Sequence, residues 1–586
     1  MIILGINAFH GDSSAALIRD GVLIAAAEEE RFRRIKHWAG FPSESIAYCL
    51  REAGVSASDV DHLAVNQDDH AHFFRKMAFL ITTVPDFRLV LDRLKKRRDR
   101  QSLPDLLAKA FHGQRFRGVF HAVEHHVAHL ASAFYVSPFE EAAVVSLDGF
   151  GDFSSAAWGV GLGKNLIVQG RVFFPHSLGI FYQALTQFLG FPHYGDEYKV
   201  MGLAPYGEPS LLKDMRRLVK LNVAGGFELD LAYFRHHRGR VEFQWTDGSP
   251  EIADLFSPAL EQLLGSRRQA TDPLENRHRD LARSVQAMYE EAFFNVVGTL
   301  QESSGLSNLA LAGGCAMNSV ANGKVRRFSN FRKVYVQSAA GDAGGAIGAA
   351  YAVWHRLGAA RSFVMDHAYW GPHFGSREIK ALIAAKQRYI ADAGCTVQET
   401  REEAELCRSV AAAIAQGRII GWFQGRMEWG PRALGNRSII CDPRRADMKS
   451  ILNAKIKRRE SFRPFAPSVL AGSVLEWFEE DDAVPFMMQV FQIRPEKRAM
   501  VPAVTHIDGS GRLQTVCRDA NPRFYQLIES FRDITGVPMV LNTSFNENEP
   551  VVCTPEQALD CFLRTEMDIL VLGDMMVSRA NAFHLD

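Results

Sequence analysis

The run Glu-His-His-Val-Ala-His at 124–129 sets His125 and His129 four positions apart, so on a helix both imidazoles share one face, one turn apart. That spacing suits one metal ion. His126 is expected to point elsewhere, and His121 lies off that face. Two carboxylates join the pair by position: Asp148 opens a glycine turn after an apolar run, and Asp342 opens the turn Gly-Asp-Ala-Gly-Gly after another. Both are at strand ends expected to face one cleft. Two imidazoles with carboxylates form a nitrogen and oxygen set that suits Fe(II), Mn(II) or Zn(II) better than calcium.

A second concentration of chemistry lies towards the C-terminus, in "FQGRMEWGPRALGNRSIICDPR" and "LNAKIKRRESFRPFAPSVL". Arg432, Lys457 and Arg463 flank short turns that contain Pro431 and Pro464, as expected of cations held for a substrate. Guanidinium groups bind phosphate and carboxylate in bidentate fashion, and lysine acts as a point charge. Aromatic residues are not interleaved regularly through the cluster, which speaks against a groove for single-stranded nucleic acid.

These residues need elements to position them. "IILGI" reads as a buried strand, "NAFHGDSS" as a turn and "AALIRDGVLIAAAEEERF" as a hairpin through Asp20-Gly21. About 140 residues on, "AAVVSL", "DGFGDFSS" and "AAWGVGLGKNLIVQGRVFF" repeat the unit, with a turn from Gly161 to Asn165. Such duplication is the layout of the actin-like ATPase superfold, in which two halves face a cleft. The glycines would let backbone N–H groups approach phosphate, and Ser and Asp side chains would bind phosphate or metal. "NLALAGGCAMNSVANGKV" and "VYVQSAAGDAGGAIGAAYAV" each read as a strand entering a small-residue turn that opens a helix, again presenting N–H groups to an anion. Between the repeats, residues 69–120 read as mostly helical. Their basic run "LDRLKKRRDR" is expected to be a solvated face. Gly and Pro gather at 357–375, where a linker is expected.

The 586 residues suggest about three or four folding units at roughly 150 residues each. Hydrophobic residues at 47% and charged residues at 23% are those of a globular chain. Lys plus Arg and Asp plus Glu are both 67, so no global field draws the chain to nucleic acid or an anionic membrane, and any anion site must be local. The eight cysteines include no C-x-x-C pair, which points away from zinc knuckles and a disulfide framework and towards a reducing cytoplasm. The N-terminus reads as a first strand, not a signal peptide. "MAFLITTVP" is far shorter than the about 20 residues a spanning helix needs, so no membrane span is expected.

Together, "HGDSSAAL", "EEERFRRIKH", "HHVAHLASAFY", "DEYKVMGLAPYG", "GGCAMN", "GDAGGAIGAA", "RMEWGPRALGNRSI", "FRPFAPSVL" and "LNTSFN" resemble the NodU/CmcH-type O-carbamoyltransferase family, typified by tobramycin carbamoyltransferase. The runs follow the family's order over nearly the whole chain. The resemblance implies an α/β protein with an actin-like, TsaD-like transfer domain at 1–356, a linker at 357–375 and a YrdC-like α/β domain at 376–586. It implies that the second domain makes carbamoyl-adenylate from carbamoyl phosphate and ATP with Mg2+, and that the first moves the carbamoyl group to an acceptor hydroxyl. By motif, His125, His129, Asp148 and Asp342 would ligate a divalent metal, with Fe2+ the implied ion. His10 and Lys36 would belong to the transfer site, His10 as general base, while Gly313, Gly314 and Asn318 would line the adenylate. Arg432, Lys457, Arg463, Arg512, Asn542 and Ser544 would bind carbamoyl phosphate and ATP.

The partner implied is a small-molecule hydroxyl acceptor, antibiotic-like or nodulation-factor-like, without nucleic acid or membrane, and a homodimer stays open. Two other readings stand beside it. One is a tRNA threonylcarbamoyl-transferase-like enzyme, which a near-zero net charge disfavours. The other is a non-catalytic, nucleotide-gated binding protein, which leaves the paired histidines and the basic cluster without a purpose.

Overall fold

The computed structural model describes residues 1–83, 103–111, 116–237, 243–244 and 248–580. The basic run at 91–100 lies outside them. The chain divides into two compact units, not three or four: Met1–Ala321 with Val325–Met365, and Asn322–Lys324 with Asp366–Asp586. Each is mixed α/β. Residues 357–375 contain no helix or strand, yet both ends are fixed. Met365 N donates to Val136 O and its carbonyl accepts from Tyr335 Oη in the first unit, while Gly371 N donates to Met427 O in the second.

The first unit holds two five-stranded sheets of one topology. In one, β1 (Ile2–Asn7), β2 (Ser14–Arg19), β3 (Val22–Glu28), β4 (His62–Val65) and β5 (Val119–Ala122) lie in the order β3-β2-β1-β4-β5. In the other, β6 (Glu141–Gly151), β7 (Ser154–Leu162), β8 (Asn165–Phe173), β9 (Asn308–Ala312) and β10 (Lys333–Val336) lie in the order β8-β7-β6-β9-β10. In each sheet an antiparallel meander is followed by two parallel strands. The doubled sequence unit is thus a doubled topology.

The first hairpin turns at Asp20 and Gly21, both at positive φ, which is the two-residue turn that matches strand twist. The second unit differs from the expected long polar turn. β6 runs through Asp148 to Gly151 with a register shift, and Asp152 and Phe153, both at positive φ, close the hairpin. Asp148 therefore follows the last regular pair, Leu147 with Ala156, at the irregularity in the strand.

Alternation along β1 explains its apolar run. Leu4 and Ile6 pack with Ile46, Tyr48 and Leu50 of α1 (Ser43–Ala53) on one face. Gly5 faces α4 (Gly345–Arg356), where a Cβ would come within 1.9 Å of Ala346 O. The same helix lies against α2 (His125–Phe134): a Cβ on Gly348 would meet Ala128 O at 1.8 Å. The glycines of "GDAGGAIGAA" thus serve backbone contact between packed elements, not only the turn at Asp342. Along the edge of this unit runs the long helix α3 (Asn276–Ser304).

In the second unit one nine-stranded mixed sheet forms the core. Its strands are β11 (Cys395–Glu399), β12 (Ile420–Phe423), β13 (Arg437–Cys441), β14 (Ala466–Leu470), β15 (Gln489–Gln492), β16 (Ser510–Val516), β17 (Met539–Ser544), β18 (Ile569–Leu572) and β19 (Met575–Arg579). They lie in the order β11-β19-β18-β12-β13-β17-β14-β16-β15. Central strands such as β12 and β18 are buried on both faces, which accounts for their continuous apolar runs. Helices α5 (Glu403–Ala415) and α6 (Pro522–Thr535) pack on each other, and α7 (Pro555–Arg564) starts at a Thr554–Gln557 capping box.

Gly348→Val should lower stability by about 3 kcal/mol, since neither backbone at this crossing can retreat without unpacking a core. Calorimetry of the full chain checks this as a lower first transition, and a midpoint equal to wild type contradicts it.

Candidate metal centre and anion site

Helix α2 presents its histidines because its N-terminus is fixed. The Glu124 carboxylate accepts from His126 N at 3.2 Å and Val127 N at 3.0 Å, and Asp152 Oδ2 accepts from His125 N at 2.8 Å. Three of the four N–H groups that a helix start leaves without partners are so satisfied. Arg171 holds Glu124 bidentately, Nη1 to Oε1 at 3.0 Å and Nη2 to Oε2 at 2.9 Å. Burial opposes ionisation of Glu124, but His72, His126 and Arg171 hold the carboxyl well below the usual carboxylate range.

The i, i+4 spacing brings His125 Nε2 and His129 Nε2 to 3.0 Å in a buried position. Asp148 Oδ2 lies 2.8 Å from His129 Nε2 and 3.7 Å from His125 Nε2, and Asp342 Oδ1 lies 3.6 and 3.5 Å from the same atoms. One donor atom from each residue falls within a 4.8 Å span. Gly151 leaves room for the His125 ring, since a Cβ there would sit 2.0 Å from it. Gly314 approaches Asp148 Oδ1, at 2.9 Å from its own hypothetical Cβ.

The donor set fits a divalent transition metal. Burial lowers the proton affinity of His125, but Asp148 and Asp342 raise its pKa to about 9. His129 is raised too, against its burial and the neighbouring His125, by the same carboxylates. Protonation of both rings would set two charges with Nε2 atoms 3.0 Å apart against each other, and leaving both neutral would bury the Asp148 carboxylate, 2.8 Å from His129 Nε2, without a counter-charge. One dication ligated by two neutral imidazoles and two carboxylates removes both conflicts. His126 turns away, its Nδ1 2.9 Å from Ser146 Oγ, and His121 pairs with His62 at 3.0 Å.

The other first-unit candidates divide. His10, in the β1–β2 loop, has its ring centroid 5.6 Å from that of His125, beside the centre. Lys36 is exposed. Its neighbour His37, which sequence reasoning passed over, turns inward, with Nδ1 2.8 Å from Asp12 Oδ1 and its main-chain N donating to Glu30 at 2.8 Å. Gly313, at φ 86, lies against Leu147 O, where a side chain has no room. Asn318 exchanges amide hydrogen bonds with Gln286 of α3, Nδ2 to Oε1 at 2.9 Å and Nε2 to Oδ1 at 3.1 Å.

In the second unit, burial and the charges of Arg432, Arg459 and Arg463 push Arg512 well below the normal arginine range. Two of these guanidinium groups have partners of their own, Arg463 Nη1 lying 3.6 Å from Glu460 Oε2 and Arg459 Nε donating to Asn453 Oδ1 at 2.8 Å. Sequence reasoning missed Arg459, although the quoted basic run contains it. Asn542 does not reach out of the sheet. Its Nδ2 donates to Ala433 O at 3.1 Å and Ser468 Oγ at 2.9 Å, which ties down the loop that carries Arg432. Its buried Oδ1 has no hydrogen-bond partner among the described residues. Lys457, 1% exposed, ends a π-helical turn and donates to Ser544 Oγ at 3.3 Å, Asn546 O at 2.8 Å and Asn546 Oδ1 at 2.7 Å. Its ammonium thus ties Ser544, the last residue of β17, to Asn546 in the turn that follows.

The first unit thus carries a buried set of two histidines and two carboxylates, and the second a buried arginine with three others acting on it. Residues 2–351 match the family model for the carbamoyltransferase N-terminus, and residues 411–579 match that for the carbamoyltransferase C-terminus. The chain belongs to the carbamoyltransferase family. It is 39% identical over 596 residues to nodulation protein NolNO of Sinorhizobium fredii, covering 98% of this chain and 80% of that one. It is 41% identical over 618 residues to protein sll1178 of Synechocystis, covering 98% and 96%. It is 28% identical over 569 residues to nodulation protein U of Rhizobium fredii, covering 93% and 89%. Among solved structures, HypF of T. kodakarensis aligns with a TM-score of 0.30 at 14% identity over 61% of this chain and 48% of that one.

Replacing His125 and His129 together by Ala should abolish bound metal, read by elemental analysis of purified protein, and stoichiometric metal in that variant discards the site. Glu124→Gln should cost about 3 kcal/mol at neutral pH, because it leaves Arg171 without its charged partner. The Glu124 pKa is depressed in the folded state, so its contribution is complete above the unfolded value. The gap between wild type and variant should therefore close as pH falls below about 4. Denaturation midpoints at several pH values check this, and a gap that widens in acid contradicts it.

Proposed function

We propose that the protein is an ATP-dependent O-carbamoyltransferase that forms carbamoyl-adenylate from carbamoyl phosphate and ATP in the second unit and transfers the carbamoyl group to a hydroxyl in the first. The carrying observation is the convergence of Arg432, Arg459, Arg463 and Arg512, in a chain whose two halves match carbamoyltransferase models. Two polyanions must meet before a mixed anhydride forms, and clustered guanidiniums offset their repulsion. The buried Asn542 Oδ1 suits an N–H donor such as the carbamoyl amide or the adenine amino group. Lys457, through Ser544 and Asn546, keeps that turn in register.

In the transfer step the acceptor oxygen attacks the carbamoyl carbon, and the bond to the AMP phosphate breaks with its electron pair leaving on AMP. His10, beside His125, accepts the hydroxyl proton. His125, His129, Asp148 and Asp342 would hold the divalent ion, iron on the family's pattern, which when bound supplies Lewis-acid polarisation. Gly313 and Gly314 keep the backbone low beside Asp148, giving the adenylate room. The duplicated topology supports an actin-like, TsaD-like first domain, and the second unit is read as YrdC-like. Two relatives are named nodulation proteins, which supports a small natural-product acceptor over a nucleic acid. Among the described residues no helix is long and apolar enough to cross a membrane.

Arg463→Ala or Arg512→Ala should reduce pyrophosphate release from ATP and carbamoyl phosphate by about 10²-fold and leave metal content unchanged. The His125→Ala, His129→Ala double variant should still release pyrophosphate and fail in transfer. Pyrophosphate release that survives in the arginine variants and collapses in a folded histidine variant reverses the assignment of steps.

A further inference from the structure

The centre already described leaves one buried network unused. Glu28, Arg31, Glu30, His37 and Asp12 form a chain: Arg31 Nε donates to Glu28 Oε2 at 2.9 Å, Arg31 Nη1 lies 3.0 Å from Glu30 Oε1, and Glu30 Oε2 accepts from His37 N at 2.8 Å. His37 Nδ1 then meets Asp12 Oδ1 at 2.8 Å. Both residues of that last pair hold left-handed backbone, His37 at φ 54 and Asp12 at φ 56, a conformation that costs non-glycine residues free energy. The Glu30 carboxylate fixes the main chain at His37, so the ring is aimed from both ends.

Tyr194 links that ring to the transfer centre, since its hydroxyl stands 2.8 Å from where a Cβ on Gly11, next to His10, would sit. The ring packs edge-on against Tyr194 at 5.3 Å between centroids, and the Tyr194 hydroxyl, itself raised by burial, lies in the field of Asp342, Asp12 and Asp148. On its other edge Nε2 borders Gly195, where a Cβ would stand 2.3 Å away, so only glycine fits beside the ring. The His37 side chain is 27% exposed. The charged groups acting on it are Asp12, Glu30 and Glu197, and although burial lowers its pKa, they raise it to about 9. A metal in place of the proton is not needed here, because Asp12 and Glu30 already accept hydrogen bonds from His37.

We propose that His37, oriented by Asp12, is a catalytic residue of the transfer step, donating its Nε2–H to the carbamoyl carbonyl oxygen as negative charge grows there. This rests on the carbamoyl-transfer reading above. The electron pair of the acceptor oxygen forms the new bond to carbon, the bond to phosphate breaks onto AMP, and the hydroxyl proton goes to His10. His37 ends the step with the proton it began with. It is an electrostatic group of the oxyanion-hole type, for which loss of one donor costs about 10²-fold to 10³-fold.

The test uses the metal-loaded full chain with ATP and carbamoyl phosphate, and water as the acceptor. First-turnover pyrophosphate counts adenylate formation, and AMP counts carbamoyl transfer. His37→Phe should release pyrophosphate within about twofold of wild type and AMP about 10²-fold more slowly, with metal content unchanged. Asp12→Asn should slow AMP release about tenfold, and His37→Gln, whose amide still donates, should recover about tenfold over His37→Phe. AMP release at the wild-type rate in His37→Phe overturns the proposal, as does an equal fall of both products in metal-replete variant. Wild-type protein that releases neither product instead overturns the carbamoyl-adenylate reading, and the role of His37 falls with it.

Discussion

Two buried imidazoles 3.0 Å apart between two carboxylates concentrate charge of both signs in one small space. The carboxylates draw positive charge into a space where two protonated rings repel, and low dielectric makes both effects strong. In the proposed reading a single divalent ion would satisfy all four groups. The first unit is built so that this constraint holds.

Its two sheets each contribute to the result. The crossover after β5 delivers α2, pinned by Glu124, Asp152 and Arg171 so that its first turn cannot fray. β6 supplies Asp148 from the irregularity just after the pair Leu147–Ala156, and the turn after β10 supplies Asp342. Glycines at 151 and 314 give way to His125 and Asp148, while Gly348 lets α4 seat directly on α2. A shift in any of these moves a ligand, because packed interiors do not deform gradually. In the second unit the same logic uses neutral groups: Asn542 Nδ2, Ser468 and Gln514 hydrogen-bond one another and hold the loop after Arg432 through Ala433 O and Leu434 O.

Much of this was legible in the sequence. The i, i+4 histidines, the repeated strand and hairpin, and the two strand-end aspartates are local patterns, and local patterns carry periodicity. The β6 turn was misjudged because glycine and aspartate signal turns by composition, whereas Gly149 and Gly151 here lie in a strand that makes room for a ring. His37 was hidden because its role comes from contacts with Asp12 and Glu30, and Lys36 beside it has the more conspicuous charge. Arg459 lay unseen within a run of cations, since only the fold decides which of several adjacent basic residues turn inward. Lys457 reads as a phosphate ligand by type, and the fold adds contacts the type does not announce, to Ser544 and Asn546. The three or four units suggested by length reduce to two because one nine-stranded sheet organises the whole C-terminal portion.

The most direct measurement is X-ray absorption at the metal edge on the purified full-length protein. One transition metal per chain, with a first shell of two imidazole nitrogens and carboxylate or solvent oxygens, is the result expected if His125, His129, Asp148 and Asp342 form one centre. Protein purified without metal that takes up none from solution, or a shell containing sulfur, contradicts it.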